Sequence, residues 1–353
     1  MASPNPYVGA VITDTRGEIV GEGTHTYAGI KHAEILALEQ ASDRARGGTL
    51  YINLEPHAHQ SRNPPCTDAL IKAGVKRVVA SMEDPNPKVS GRGFEQLRAA
   101  GVQVEVGLLE AEARRMNEAF ARYIRSGTPF ITLKSAMTLD GKIAPRPAES
   151  SSTDEFRGTW ITGPEARAHV QELRLQHDAI LTGIGTILAD NPLLTDRSGK
   201  ARRKPLMRVV LDTHLRIPLD SQIVRSAKDD VIVACSLPDH KQLEQLRKRG
   251  IRVVVLPCRI DRHPDIHEVV RALGKLEIVS VLIEGGSRIN DTFLNADLID
   301  KAFFFRAPIV LGPDAVPFAR GRKRTPDELK RLRFYRFGND IAIEAYVRDP
   351  YND

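Results

Sequence analysis

The stretch TLYINLEPHAHQSRNPPCTDALIKA, residues 49–73, decides how the first part of the chain folds. TLYINLE (49–55) reads as a strand. It runs into Glu55-Pro56-His57, and Asn63-Pro64-Pro65-Cys66 opens a helix expected over Cys66–Ala73. Upstream, YVGAVIT (7–13) and EIVGE (18–22) read as strands around a turn at Asp14–Gly17. A helix is expected from His32 to Arg46, with Ile35, Leu36 and Leu38 at helical spacing. Downstream come a strand at KRVVASM (76–82), a helix over Gly91–Ala100 and a strand at VQVEV (102–106). Strands alternating with helices imply an α/β domain, an open sheet covered by helices on both faces.

A helix expected over Glu110–Ile124 ends at Ser126-Gly127-Thr128-Pro129, a strong stop signal. That stop divides the chain into domains at 1–125 and 128–350. The second series begins at PFITLKSA (129–136) and continues through AILTG (179–183), RVVLD (208–212), VIVAC (231–235) and RVVVL (252–256) to SVLIEGG (280–286). FFFRAPIVLG, RFYRFG and DIAIEAYV supply terminal strands. At 353 residues the chain fits two ordinary domains.

Composition excludes several classes. With 41% hydrophobic and 27% charged residues, the chain is neither disordered nor fibrous. It carries no run of about 18 apolar residues, so no membrane span is expected. The opening MASPNPYVGAV has no basic segment leading into an apolar one, which predicts no secretory signal. Three scattered cysteines, Cys66, Cys235 and Cys258, give no disulfide framework and favour a cytoplasmic location. The net charge of +6 is spread along the chain. Its densest group, Lys200 with Arg202, Arg203 and Lys204, reads as a solvated loop, with phosphate attraction as the alternative.

The first chemical constellation joins His32-Ala33-Glu34, at a helix start, to His57 and Cys66. Hydrolytic deamination of an amino-pyrimidine needs a water made nucleophilic by a metal, and a carboxylate to shuttle its proton. Two helix N-termini at the ends of neighbouring strands would bring residues 32, 57 and 66 together, with Glu34 on the open side. SPNPYVGAVI, GEGTHTYAGIKHAE, LEPHAHQSRNPPC and DPNPKVSGRG, in this order, resemble the deaminase half of the bifunctional riboflavin-biosynthesis deaminase/reductase family. The resemblance implies a cytidine-deaminase-like αβα domain with one Zn²⁺ on His32, His57 and Cys66, and Glu34 as the catalytic proton shuttle. It also implies substrate contact for His59, while His25 reads as an exposed loop residue.

The sequence departs from that family at position 57, where the family has Cys and this chain has His. Two readings stand. Imidazole is a good zinc ligand, so a His-His-Cys site is feasible, with a metal shifted or bound less tightly because the ring reaches farther than a thiolate. The other reading is a decayed deaminase. The family's Gly-Arg-Thr is also altered, to Gln60-Ser61-Arg62-Asn63. The family places a packing helix ahead of SPNP, where this sequence opens at Met1-Ala2-Ser3; either the start is truncated, or apolar sheet surface is exposed and the domain weakened.

In the second half no Gly-x-Gly-x-x-Gly stands at a strand–helix turn, so a Rossmann reading has no support. LKSAMTLDGKIA, the long segment from Trp160 to Arg197, RVVLDT and VLIEGGSRIN resemble the reductase half of the same family. The resemblance implies a dihydrofolate-reductase-like domain that takes NADPH. It places cofactor contacts on Ala136, Trp160, Thr186, Asp190, Thr213, Gly286, Ser287, Arg288 and Ile289. Substrate contacts fall on Arg174, Leu194, Arg197 and Glu284, the two arginines suiting a ribose phosphate. Gly158 stands where the family has a substrate-binding Ser, within a stretch from Pro145 that reads as a lid. A buried core aromatic is the plain alternative for Trp160, and a solvated charge for Arg174. Lys134 and Asp140 rank second, and no proton donor is assigned.

Together these imply hydrolytic deamination of 2,5-diamino-6-ribosylamino-4(3H)-pyrimidinone 5′-phosphate. NADPH-dependent reduction of 5-amino-6-(5-phosphoribosylamino)uracil to the ribitylamino product then follows. The implied partners are small phosphorylated pyrimidines and a second copy of the chain in a homo-oligomer, with no nucleic acid and no membrane. The alternative is a reductase alone. A nucleic-acid-editing deaminase is disfavoured, because its Pro-Cys-x-x-Cys spacing is far tighter than the distance from residue 57 to residue 66.

Overall fold

The computed structural model describes residues 2–25, 31–58, 65–145, 160–202, 204–258, 263–321 and 329–352. Two compact units divide the chain, Met1–Gly127 and Thr128–Asp353. Among the described residues no helix is long and apolar enough to cross a membrane.

The first unit runs β1 (Gly9–Thr13), β2 (Ile19–Thr24), α1 (Ala33–Ala41), β3 (Thr49–Ile52), α2 (Cys66–Ala73), β4 (Arg77–Ala80), α3 (Arg92–Ala99), β5 (Gln103–Val106), α4 (Glu110–Met116) and α5 (Glu118–Ser126). Its five strands lie in the order β2-β1-β3-β4-β5. β1 pairs antiparallel with β2 and β3, and β3, β4 and β5 run parallel. Alternate residues along each strand point to one face. Ala10, Ile12, Leu50, Ile52, Val78 and Ala80 therefore join Ala33, Ala37, Leu70, Phe94 and Leu97 from the first three helices in one core. α1 sits directly on β2. A Cβ at Gly21 would fall 2.1 Å from the Ala37 carbonyl oxygen, and one at Gly23 would fall 2.0 Å from that of Ala33.

Two sequence expectations need correction here. The helix expected over His32–Arg46 is α-helical only to Ala41 and tightens into a 3₁₀ turn over Ser42–Ala45. The helix expected over Glu110–Ile124 is broken at Asn117. That side chain turns inward, accepting from the Tyr7 N–H at 2.7 Å and donating to the Tyr7 carbonyl at 3.0 Å.

The second unit begins with β6 (Phe130–Thr138), β7 (Lys142–Ala144), α6 (Pro164–Gln176), β8 (Ala179–Gly183), α7 (Ile184–Asp190), β9 (Met207–Leu211) and α8 (Gln222–Arg225). It continues with β10 (Val231–Cys235), α9 (His240–Lys248), β11 (Arg252–Val255), α10 (Ile266–Lys275), β12 (Ser280–Ile283) and α11 (Ser287–Asn295). β13 (Lys301–Ala307), β14 (Val316–Pro317), β15 (Lys330–Phe337) and β16 (Asp340–Tyr346) close the unit. Nine strands form one sheet, β11-β10-β9-β8-β12-β6-β13-β16-β15, and β14 pairs with β7 in a separate ribbon.

Strands β6, β8, β9, β10, β11, β12 and β13 are parallel to their neighbours, while β16 and β15 add antiparallel pairs. Parallel strands covered on both faces read as continuous apolar runs, and β8 and β10 are buried along their whole length. Successive residues feed opposite cores: Leu181, Val209 and Ile232 pack on one side, Ile180, Val210 and Val233 on the other. The register places Glu284, just past β12, beside Lys134 of β6, because Ile283 pairs with Leu133. Gly183 pairs with Leu211, so Ala136, Glu284, Ile184 and Thr213 all lie at the carboxyl rim of the sheet, where open α/β sheets take their ligands.

Candidate active sites

In the front unit, β3 ends at Ile52 and its extension delivers His57 to the start of α2, where Cys66 lies. The Cys66 and Thr67 N–H groups both donate to the His57 carbonyl, at 3.0 and 3.4 Å. The start of α2 and the backbone at residue 57 therefore move as one piece. His32, at the N-cap of α1, completes the group. His57 Nδ1 lies 3.1 Å from Cys66 Sγ, and His32 Nδ1 lies 3.3 Å from the same sulfur. The two imidazole centroids are 4.5 Å apart. One ligand atom from each residue falls within 4.8 Å of the other two.

A tetrahedral zinc at about 2.0 Å from nitrogen and 2.3 Å from sulfur spaces those donors roughly 3.5 Å apart. The side chains present fit such an ion. Position 57 uses Nδ1, the ring nitrogen nearer its backbone, which offsets the longer reach expected of imidazole.

Glu34 is buried at 3% exposure, one helical step from His32. Burial pushes its carboxyl up, against hydrogen bonds from its own backbone and from Cys66. Burial, and then the Glu34 carboxylate, push the Cys66 thiol up as well. A divalent cation reverses that preference, because a coordinating thiol gives up its proton.

His25 is not merely exposed. Its ring meets His32 edge-on at 5.3 Å, its Nδ1 faces the Lys31 carbonyl at 3.2 Å, and its Nε2 faces Asn5 Nδ2 at 3.2 Å. His59, residues 60–63, Gly158 and all of the expected lid after Pro145 lie outside the described residues.

Sequence reasoning missed Glu55. Its carboxylate accepts from the N–H groups of Asp84 (3.0 Å), Gly91 (2.9 Å) and Gly93 (2.8 Å), which ties the DPNPKVSGRG segment beneath the ligand strand. The signal was its position in Leu54-Glu55-Pro56, buried directly ahead of His57.

In the rear unit Glu284 is the centre of charge. Arg174 grips it with two bonds, Nε to Oε1 at 2.7 Å and Nη2 to Oε2 at 3.0 Å. Lys134 Nζ stands 3.5 Å away. Burial pushes this carboxyl up, but Lys134 and Arg174 outweigh it and hold it down to about 2. Arg174 is buried, not a solvated charge, and its remaining fork donates to the Thr195 carbonyl at 2.8 Å. Trp160 is 65% exposed, which removes the core-aromatic alternative, and the Arg167 guanidinium lies 5.0 Å from its ring centroid.

The loop after α7 is fastened at close intervals. Asn191 Oδ1 accepts from Gln222 N–H at 2.8 Å, and the Leu193 carbonyl accepts from Arg208 at 3.0 Å. The Arg197 N–H donates to Gln171 Oε1 at 2.9 Å. Between these points Leu194 takes a positive φ of 54° and is buried, while the Arg197 side chain is exposed.

Of the basic group at 200–204, Arg202 is neither a solvated charge nor a phosphate trap. It donates to the carbonyls of Arg174 (2.8 Å), Leu175 (3.0 Å) and His177 (2.8 Å), capping the end of α6. Arg208 was also missed. It is among the largest fully buried side chains, bonded to Leu193, Ser226 and Asp230.

Thr186 and Asp190 lie on α7, and Asp190 is pushed up by burial. Thr213 Oγ1 meets His263 Nδ1 at 3.1 Å. Gly286 caps α11, Ser287 Oγ donates to the Pro317 carbonyl, and Arg288 is exposed. A Cβ at Gly183 or Gly285 would fall 2.8 or 2.6 Å from Ile289, so both glycines let α11 settle on the rim. Asp140 closes a turn, accepting from Thr138 Oγ1 and from Gly312 N–H at 2.9 Å.

A donor triad beside a buried carboxylate, followed by a rimmed parallel sheet with a compensated Glu, defines a deaminase joined to a reductase. Residues 1–82 match the cytidine and deoxycytidylate deaminase zinc-binding region, and residues 129–343 match the RibD C-terminal domain. The riboflavin biosynthesis protein RibD of Aquifex aeolicus is 39% identical over 342 residues, covering 96% of this chain and 92% of the relative. That of Escherichia coli is 41% identical, covering 88% and 84%. Among solved structures, Acinetobacter baumannii RibD, form 1, superposes with a TM-score of 0.83 at 34% identity, covering 98% of this chain and 93% of that one. A Thermotoga maritima diaminohydroxyphosphoribosylaminopyrimidine deaminase/5-amino-6-(5-phosphoribosylamino)uracil reductase gives 0.80 at 33%, with the same coverage.

The chain belongs to the RibD family: it is a bifunctional deaminase and reductase of riboflavin biosynthesis. Matches to both halves favour that reading over a reductase alone.

Proposed function

We propose that the front unit hydrolyses the 2-amino group from 2,5-diamino-6-ribosylamino-4(3H)-pyrimidinone 5′-phosphate. The rear unit then reduces 5-amino-6-(5-phosphoribosylamino)uracil to its ribitylamino product with NADPH, in the cytoplasm and within a homo-oligomer. The observation that carries the front reaction is the convergence of two imidazole nitrogens on Cys66 Sγ beside buried Glu34.

His32, His57 and Cys66 hold one Zn²⁺, which supplies electrostatic activation of water when bound. A Glu34 carboxylate oxygen takes a proton from the attacking water and returns it to the departing amino nitrogen, so that ammonia leaves. Its burial suits this, because burial raises the carboxyl's hold on a proton.

In the rear unit Ala136, Trp160, Thr186, Asp190, Thr213 and the Gly286–Ile289 turn would hold NADPH at the carboxyl rim, where it would supply hydride. The start of α11 suits the pyrophosphate, because a helix N-terminus favours negative charge. Glu284 orients the ribosyl hydroxyls. Arg174 and Lys134 keep it ionised, Leu194 shapes the pocket wall, and exposed Arg197 meets the substrate phosphate. Positioning donor and acceptor carries much of the rate.

The test is metal analysis of the purified chain, with ammonia release and NADPH oxidation followed separately on the phosphorylated pyrimidine. Stoichiometric zinc with both activities is expected. A metal-free protein that oxidises NADPH but releases no ammonia would defeat the front reaction alone.

A further inference from the structure

The donor set at the front site differs in kind from a site built on two thiolates. It offers two imidazoles and a single sulfur, Cys66 Sγ. The backbone at 57 is fixed, since the His57 carbonyl is pinned by the first N–H groups of α2. Nor does His25 add another donor: both of its ring nitrogens face other groups, Asn5 and the Lys31 carbonyl. A dication held by two thiolates and one imidazole carries no net charge, whereas one held by a single thiolate keeps one positive charge. Thiolates are the soft donors that set zinc apart from other divalent first-row ions. Imidazole accepts zinc, iron, nickel and copper with less discrimination.

We propose that His57 relaxes the metal selectivity of this centre, so that a borderline divalent ion such as cobalt(II) or iron(II) competes with zinc far better than at a two-thiolate site. The inference rests on the reading that His32, His57 and Cys66 hold an ion, and goes beyond it by assigning which ions are admitted.

The test uses the full-length chain, stripped of metal, loaded with cobalt(II) and titrated with zinc while the absorption spectrum is followed. Wild type is compared with His57→Cys, His57→Ala and Cys66→Ser, and hydrogen-exchange protection of β1, β3 and β4 reports that the front unit of each variant has folded. Wild-type protein should show the sulfur-to-cobalt charge-transfer band of one thiolate. That band should about double in His57→Cys and vanish in Cys66→Ser. The preference for zinc over cobalt should rise on the order of tenfold in His57→Cys. If the cysteine variant precipitates, His57→Ala still decides, since it should lose at least tenfold in cobalt affinity when residue 57 is a ligand.

Equal preference in wild type and His57→Cys, or unchanged cobalt binding in His57→Ala, would overturn the proposal while leaving a metal site in place. Failure of the wild-type chain to take up either ion would instead remove the reading beneath it.

Discussion

At the front site His32, His57 and Cys66 turn their donor atoms toward one another beside a buried acid, and burial pushes both that acid and the Cys66 thiol up, toward their neutral forms. At the rear site a buried acid is already met by two cations, Arg174 and Lys134, and is held down to about 2 although burial alone would push it up. Both units bury ionisable groups at the ends of strands. In the front unit burial favours the neutral forms, and in the rear unit the chain supplies the compensating charge itself. The front reaction should therefore depend on what the solution supplies, and the rear site should stand preorganised without it.

The largest effect that would sharpen this contrast is Glu34→Gln. Ammonia release should fall roughly 10²- to 10⁴-fold, with NADPH oxidation unchanged; a parallel loss of both activities would break the separation. Next is Arg208→Met in the rear unit. It strands Asp230 and frees the Leu193 carbonyl, and removing one partner of a buried pair costs about 3–5 kcal/mol. Urea unfolding followed through NADPH oxidation measures this, and ammonia release should survive to higher denaturant.

The third prediction concerns acid. His177 is buried, donating from Nδ1 to the Leu173 carbonyl at 2.6 Å, with Nε2 2.9 Å from Thr132 Oγ1, a hydroxyl able to donate to the neutral ring. Burial, with Lys301 and Arg202 adding to it, pushes the ring down to about 4 from an ordinary 6.5, despite the Leu173 carbonyl and Glu284. The folded state thus refuses a proton that the unfolded chain accepts. Stability from this group is complete above pH 6.5 and is lost as pH falls toward 4. The loss amounts to about 3 kcal/mol. Glu284 continues the trend, its contribution fading as pH falls from about 4.5 to about 2. Unfolding of the rear unit between pH 7 and 4 checks the sign.

The smallest effect is Glu55→Gln, which swaps one acceptor oxygen for an amide donor facing the bound N–H groups. It should cost the front unit about 2 kcal/mol. Faster hydrogen exchange confined to residues 84–93 is the expected signature.

Much of this was legible beforehand, for local reasons. α2 begins at Cys66 because Pro64-Pro65 precede it, and ends at Gly74, whose φ of 77° caps the helix. The buried strands of the rear sheet announce themselves as unbroken apolar runs. What escaped lies in contacts distant in sequence. Asn117 breaks a helix to reach Tyr7, 110 positions away. Arg202 reads as one of several basic loop residues until the carbonyls ending α6 stand in front of it. Arg208 opens an apolar strand, and nothing local marks its carbonyl and carboxylate partners. At the front site the residue types were legible, but not which imidazole nitrogen would face the sulfur.

The bare contact between β2 and α1 limits how this enzyme can change. With main chain resting on main chain at Gly21 and Gly23, no interchangeable spacer lies between the strand and the helix that carries Glu34. The height of Glu34 above the sheet is thus a fixed dimension. Deliberate redesign for other amino-heterocycles therefore has to be worked from elements other than β2 and α1.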